Sequence, residues 1–338
     1  MVRTRSLRAA LGASALALLV AACSSSGSGN SGAGGSGGGS LKGKTIALVG
    51  YGNASPWGVA FNKEFEGKLA NSGLKIKNLT TMDSGTQIQY LNQAVAEHPS
   101  LIVLAALDTK ATAVPIQKAK QAGVPVLVFD GPTDPSVASD VMSVLSDNEK
   151  LGEYAAQNLI DGLKAQGRNS GKIIVLEGTK SMLVTQDRMT GFYKVMATAP
   201  QYKVIDVQDA NWDPTLSGKV AQQLLAKYGC SGVQAAYGMA DYMALPIVQA
   251  ARQAGCAVGG KNGLVITGGN CFKAGIDAIK SGQLFGTATE DPISIAKQTA
   301  DYITKYLSGQ KPPQKELVKE YRVTKANVSQ YAAQCSQA

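Results

Sequence analysis

"LIVLAALDTKATAVPIQKAKQAGVPVLVFDGP", residues 101–132, decides the fold. Two short, continuous apolar runs, 101–106 and 124–129, flank a segment with Val114, Ile116 and Ala119 at helical spacing, which ends at Gly123. Short unbroken apolar runs suit strands covered on both faces, and Gly after the last periodic residue is a helix stop. A strand, a helix and a second strand in this order form the crossover unit of a parallel sheet. The second run closes on Asp130.

The same alternation extends in both directions. "TIALVG" (45–50), "KIIVLEG" (172–178), "VQAAYG" (233–238) and "GLVITGG" (263–269) read as further strands. Between the first two, "AFNKEFEGKLANSG" (60–73) places Phe61, Phe65 and Leu69 on one helical face, with Gly73 as the stop. Repeated βα units predict an α/β fold with doubly wound parallel sheets. In such folds the ligand crevice lies beyond the C-terminal ends of the strands. The only two tryptophans, Trp57 in "NASPWGVAF" and Trp212 in "DANWDPTLSG", follow strand-like runs and so fall at a crevice. Facing each other, they offer flat apolar faces on which a sugar ring can stack.

The N-terminus reads as an export signal. Arg3, Arg5 and Arg8 precede an apolar stretch from about Ala9 to Ala22, too short for a membrane span of about 20 residues. "Val20-Ala21-Ala22-Cys23" resembles a bacterial lipobox, with Cys23 as the lipid-attachment residue; an ordinary cleaved signal is the alternative. Residues 24–40 are almost wholly Ser and Gly, a flexible tether that buries no core. Loss of the signal lowers the net charge from +9 to about +6, and no run of like charges suggests nucleic-acid binding. Cys230, Cys256, Cys271 and Cys335 remain, an even number in an oxidising compartment. Cys230 ends one helical segment and Cys256 follows the next, so Cys230–Cys256 with Cys271–Cys335 is the preferred pairing, four buried thiols being the alternative. None has metal-site spacing.

Four landmarks in order carry a resemblance: "GVPVLVFDGP", "SDNEKLGEYAAQNL" with Gly152, "QDRMTGF", and "YGMADYMALPIVQAARQAG". Over nearly all of residues 43–323 the chain resembles the type I periplasmic binding proteins of the ribose-binding kind, the substrate-capturing subunits of ABC importers. The resemblance implies two lobes joined by three crossings near Ser146, Asp291 and Lys319, closing over one small molecule. The first lobe would comprise 43–145 plus 291–318 and the second 146–290 plus 319–338, after a signal (1–22) and a tether (23–42). Trp57 and Trp212 would stack on the ligand, and Asp130 would accept from its hydroxyls. Gln186 falls at a position often held by a ligand-binding Arg, and Arg188 matches the next family Arg. Asn270 falls where relatives carry a ligand-reading Asp, and Glu290 where they carry Gln. Asp241 is either a ligand contact or the N-terminal cap of its helix. Ala105, Gly131 and Ala240 stand where polar readers or an Arg are common, which favours a polyol, a modified or larger sugar, or an amine over plain ribose.

The enzyme class is disfavoured. His98 is the single histidine and reads as surface, and no Gly-x-Ser-x-Gly elbow, metal cluster or Walker loop occurs. "GYGNAS" lacks the third glycine of a nucleotide fingerprint. The sequence therefore predicts an extracytoplasmic, monomeric binding protein, anchored only through lipid, with no cofactor and no nucleic-acid partner. It would hand a sugar or polyol to an ABC permease, a receptor presenting its ligand to a membrane sensor being the alternative and an exported enzyme the third.

Overall fold

The computed structural model describes residues 40–338. The expected signal, Cys23 and nearly all of the expected tether lie outside the described residues. Two six-stranded sheets organise the rest. The first contains β1 (Thr45–Val49), β2 (Lys75–Asn78), β3 (Leu101–Leu104), β4 (Val126–Asp130) and β5 (Met142–Leu145), with β11 (Lys315–Leu317) added beside β5. The second contains β6 (Gly171–Glu177), β7 (Tyr202–Asp209), β8 (Ala235–Gly238), β9 (Val265–Thr267) and β10 (Gly286–Ala288), with β12 (Arg322–Thr324) added beside β10. All pairings are parallel except β10 with β12.

Each sheet therefore belongs to an α/β lobe. The helices are α1 (Pro56–Leu69), α2 (Ser84–Glu97), α3 (Thr109–Gln121), α4 (Asn148–Ala165), α5 (Leu183–Met196), α6 (Pro214–Gly232), α7 (Asp241–Gln253), α8 (Lys273–Lys280), α9 (Pro292–Leu307) and α10 (Val328–Cys335). The chain passes between sheets after β5, after β10 and after β11, since α4 packs on β8–β10 and α9 packs on α1, β4 and β5.

Strands β3 and β4 are buried along their whole length, which accounts for their unbroken apolar runs. The edge strands read differently. β2 is Lys-Ile-Lys-Asn and β11 Lys-Glu-Leu, half-exposed segments whose charges discourage pairing with another chain. Helix starts are capped by side chains: Ser55, Asp83, Asp108, Asp147, Asp213 and Asp291 each accept a backbone N–H from the first turn.

Two details depart from the sequence reading. Helix α1 begins at Pro56, four residues earlier than the apolar spacing marks, so Trp57 lies in its first turn. Pro at the first helical position with Ser55 as cap is the local cause. In α3, Val114 points outward at 57 % exposure while Ala113 and Thr112 are buried, because the face follows Thr109, Thr112, Ala113 and Ile116. The expected cysteine pairing is present, with Cα–Cα distances of 5.2 Å for Cys230–Cys256 and 5.1 Å for Cys271–Cys335.

Candidate functional site

The site grows out of the strand order. In the first sheet the chain runs from β1 out to β2 and returns to β3 on the other side of β1; in the second it does the same around β6, with β7 and β8. Loops after β1 and β6 therefore diverge at a switch point, where parallel sheets leave a crevice. The first switch point supplies Tyr51, Ser55 and Trp57, the second Met182, Val184 and Arg188. Together with Asp130, Trp212, Tyr242, Asn270 and Glu290 they enclose a cavity of ≈ 20 Å³, room for about one water.

Arg188 is the centre of the arrangement. Its Nε donates to Asn148 Oδ1 at 2.9 Å, one terminal nitrogen to Met239 O at 3.1 Å and Asn270 Oδ1 at 3.4 Å, and the other to Glu290 Oε2 at 3.1 Å. Helix packing brings these partners together. A Cβ at Gly152 of α4 would overlap Arg188 O, and one at Gly191 of α5 would overlap Glu149 O. Two glycines thus let the backbones of α4 and α5 touch, and this close crossing carries Asn148 to the guanidinium. Arg188 Cζ also lies 5.2 Å from the Trp212 ring, within cation–π range.

The aromatic walls are held rigidly. Trp57 stacks on Phe61 at 5.2 Å and donates Nε1 to Glu290 Oε1 at 3.1 Å, tying the first lobe to the passage after β10. The Trp212 indole lies against the backbone of Gly178, where a Cβ would overlap the ring. Backbone strain concentrates here: Asp130 (φ 66), Asn211 (φ 52), Trp212 (φ 57), Asn270 (φ 77) and Cys271 (φ 52) adopt left-handed conformations, and all lie in or beside the cavity wall. Each such residue costs about 1–3 kcal/mol, which the surrounding packing must offset.

Burial dominates the electrostatics. Asp130 accepts the Tyr51 hydroxyl at Oδ2 (3.0 Å), while its buried Oδ1 has no hydrogen-bond partner. Burial raises the Asp130 carboxyl above its ordinary value, although Arg188 opposes the rise. Burial and then neighbouring Asp130 push Glu290 well above the usual range. Arg188 is held charged: burial acts against it, and Glu290, with Tyr237 and Asp130, outweighs that. Behind Glu290, Glu320 is pushed up to about 8 by burial and then by Asp291.

Of the residues singled out by sequence, Trp57, Asp130, Arg188, Trp212, Asn270 and Glu290 line one cavity. Two do not. Gln186 is exposed and donates Nε2 to Lys180 O at 2.7 Å, because two residues along α5 from Arg188 lie on the opposite helix face. Asp241 is fully buried outside the cavity lining, and the cap of α7 is Ala240. Its Oδ2 accepts the Phe272 N–H at 2.8 Å and its own N–H donates to Gly269 O at 2.7 Å, so Asp241 braces the loop that carries Asn270. Sequence reasoning missed Tyr51, Ser55, Tyr242, Met82, Met182 and Val184; only their places in loops after strands or in a first helical turn hint at them. Gly131 is also explained, since a Cβ there would overlap Val184 of the opposite lobe.

Two α/β lobes whose switch points meet over a buried polar cavity define a two-lobed binding protein. A family model described as a periplasmic binding protein domain matches residues 46–311. The chain belongs to that family, in its type I, ribose-binding-like branch. It is 29% identical over 311 residues to the "Fructose import binding protein FruE" of Bifidobacterium longum, covering 89% of this chain and 88% of that protein. It is 28% identical over 263 residues to the "D-ribose/D-allose-binding protein" of Pseudomonas aeruginosa, covering 75% and 76%. Among solved structures, a galactofuranose binding protein superposes with a TM-score of 0.77 at 19% identity, covering 86% of this chain and 98% of that one. These relatives are binding proteins and the chain is not an enzyme. Membership places the protein outside the cytoplasm. No helix among the described residues is long and apolar enough to cross a membrane.

Proposed function

We propose that this protein captures a neutral sugar or polyol between its lobes and delivers it to an ABC permease, tethered to the membrane through lipid on Cys23. The observation that carries the reading is the meeting of both switch points at one buried cluster, with Trp57 and Trp212 as the flat apolar surfaces and Asp130, Arg188, Asn270 and Glu290 as the polar ones. Such a mixture of aromatic faces and charge-assisted hydrogen-bonding groups is what a polyhydroxylated ring requires. The names of the relatives, fructose import and D-ribose/D-allose binding, agree with that chemistry.

A cavity of ≈ 20 Å³ is far smaller than a monosaccharide, so capture requires the lobes to separate and close again. The three passages, near residues 146, 291 and 319, would act as the hinge, and the closed form would be the one a permease recognises. A thermal-shift screen of the purified protein against pentoses, hexoses, polyols, amino sugars and sugar acids tests the ligand class. Stabilisation by a neutral sugar or polyol is expected; silence from all of these with a response to an amino acid would sink the reading. For the anchor, Cys23→Ala should move the protein from the membrane fraction to the soluble one, and an unchanged distribution would count against lipidation.

A further inference from the structure

The charges that close the cleft do not balance. Among the described residues Arg188 is the only basic one lining the cavity; its guanidinium pairs with Glu290 at 3.1 Å, and Asp130, a second buried carboxyl group, lines the same cavity. Those two carboxyls line the same cavity of ≈ 20 Å³. Glu290 receives Trp57 Nε1 on one oxygen and Arg188 and Asn270 on the other, whereas Asp130 has the Tyr51 hydroxyl on Oδ2 and no donor on Oδ1. The remaining titratable groups facing the pair are Tyr51, Tyr242 and Glu320, with Asp291 against Glu320. All are acids or phenols, so none adds a second positive charge.

Two buried carboxylates lining one small cavity, beside a single cation, do not both stay ionised. Resting on the reading of the cleft as a site for a neutral sugar or polyol, we propose that Asp130 and Glu290 act as one unit that holds a single shared proton. The protonated carboxyl then donates a hydrogen bond to a ligand hydroxyl, while the other oxygens accept. The raised carboxyls described above agree with this. The arrangement adds a carboxyl donor to the cavity wall. It also leaves the trio of Asp130, Glu290 and Arg188 neutral, which suits a neutral ligand.

The sign of the linkage follows. If the protonated pair is the binding form, affinity is constant below the pair's upper titration step and falls above it, approaching about tenfold per pH unit. The first measurement needs no ligand. At neutral pH, the infrared difference spectrum of wild type minus Glu290→Gln should contain the C=O stretch of a protonated carboxyl, and Asp130→Asn gives a second subtraction if the first variant misfolds. The second is calorimetric titration with D-fructose, D-ribose and xylitol from about pH 5 to about pH 9, in buffers of different ionisation enthalpy. The wild type should lose affinity with rising pH, and Glu290→Gln, whose amide donates at every pH, should flatten the profile. Absence of the protonated-carboxyl band, a flat wild-type profile for a probe that binds, or tighter binding with rising pH together with proton release would each overturn the proposal. A band in the spectrum with no binding of any of the three probes would overturn the neutral-sugar reading and the donor role with it, while the shared proton would stand.

Discussion

Trp57 and Trp212 illustrate how one residue serves both packing and recognition. Each is nearly buried, Trp57 against Phe61 and Trp212 against Gly178 and Arg188, so its position is set before any ligand arrives. Replacing either by Ala should weaken ligand binding by more than ~1 kcal/mol, at least about fivefold in Kd. Calorimetry with the sugar found by thermal shift checks this, and normal affinity in both variants would remove the stacking argument. Asp241 is a different case, a buried acid that supports the site from behind. Burial raises its carboxyl to about 7. An acid whose folded value lies above its unfolded one, about 3.9, contributes stability at low pH that is lost as pH rises through the folded value. Wild type should therefore lose stability between about pH 4 and about pH 7 relative to Asp241→Asn. Melting curves of both proteins across that range test it; a constant difference would show that Asp241 does not titrate there.

At the scale of elements, the crossing of α4 and α5 matters most. Gly152 and Gly191 are required because backbone atoms of the opposite helix occupy the space of a Cβ. Gly152→Ala should cost about 1–3 kcal/mol through overpacking and should also weaken binding, because it moves Arg188 away from Asn148. Unfolding and ligand titrations of the same variant separate the two effects, and loss of neither would refute the account. The disulfides act on elements too. Cys271–Cys335 anchors α10 beside Asn270, and Gln334 donates to Asp291 Oδ2 at 2.7 Å, next to Glu290. The closed loops span 26 and 64 residues, for which chain entropy gives up to about 3.5 and about 4 kcal/mol. Reduction should lower the melting temperature; an unchanged melt, with four thiols titrating in the unreduced protein, would exclude the bridges in solution.

At the scale of the molecule, the lobes meet around the cavity through polar and apolar contacts. Trp57 donates to Glu290, Ser181 Oγ to Leu107 O at 3.2 Å, and Leu183 N to Thr109 Oγ1 at 3.4 Å, while Gly131 lies against Val184. Two lobes joined by three chain passages suit an equilibrium between open and closed forms that a ligand shifts by binding one of them better. Small-angle scattering should show a smaller radius of gyration when a saturating sugar is added. An unchanged radius in the presence of a sugar that binds would argue against hinge closure.

Much of this was legible from the order of residues alone. The buried strands β1, β3, β4, β6, β8 and β9 declare themselves as apolar runs because both of their faces are covered, and that pattern is local. Strands β2, β5, β10, β11 and β12 were not legible. They lack a continuous apolar run, several lie at edges with charged side chains, and only pairing with a neighbour makes them strands. Trp57, Asp130 and Trp212 announced the site by following strands. Gln186 and Arg188, two residues apart, looked equally eligible, and the rotation of α5 against α4 decided between them. The sequence by itself determined the alternation of strand and helix and the chemistry available to the cleft. The tertiary structure alone decided which side chains meet across the lobes, because Asp130, Arg188 and Glu290 are far apart in the chain and only the packing of two sheets brings them to one cavity.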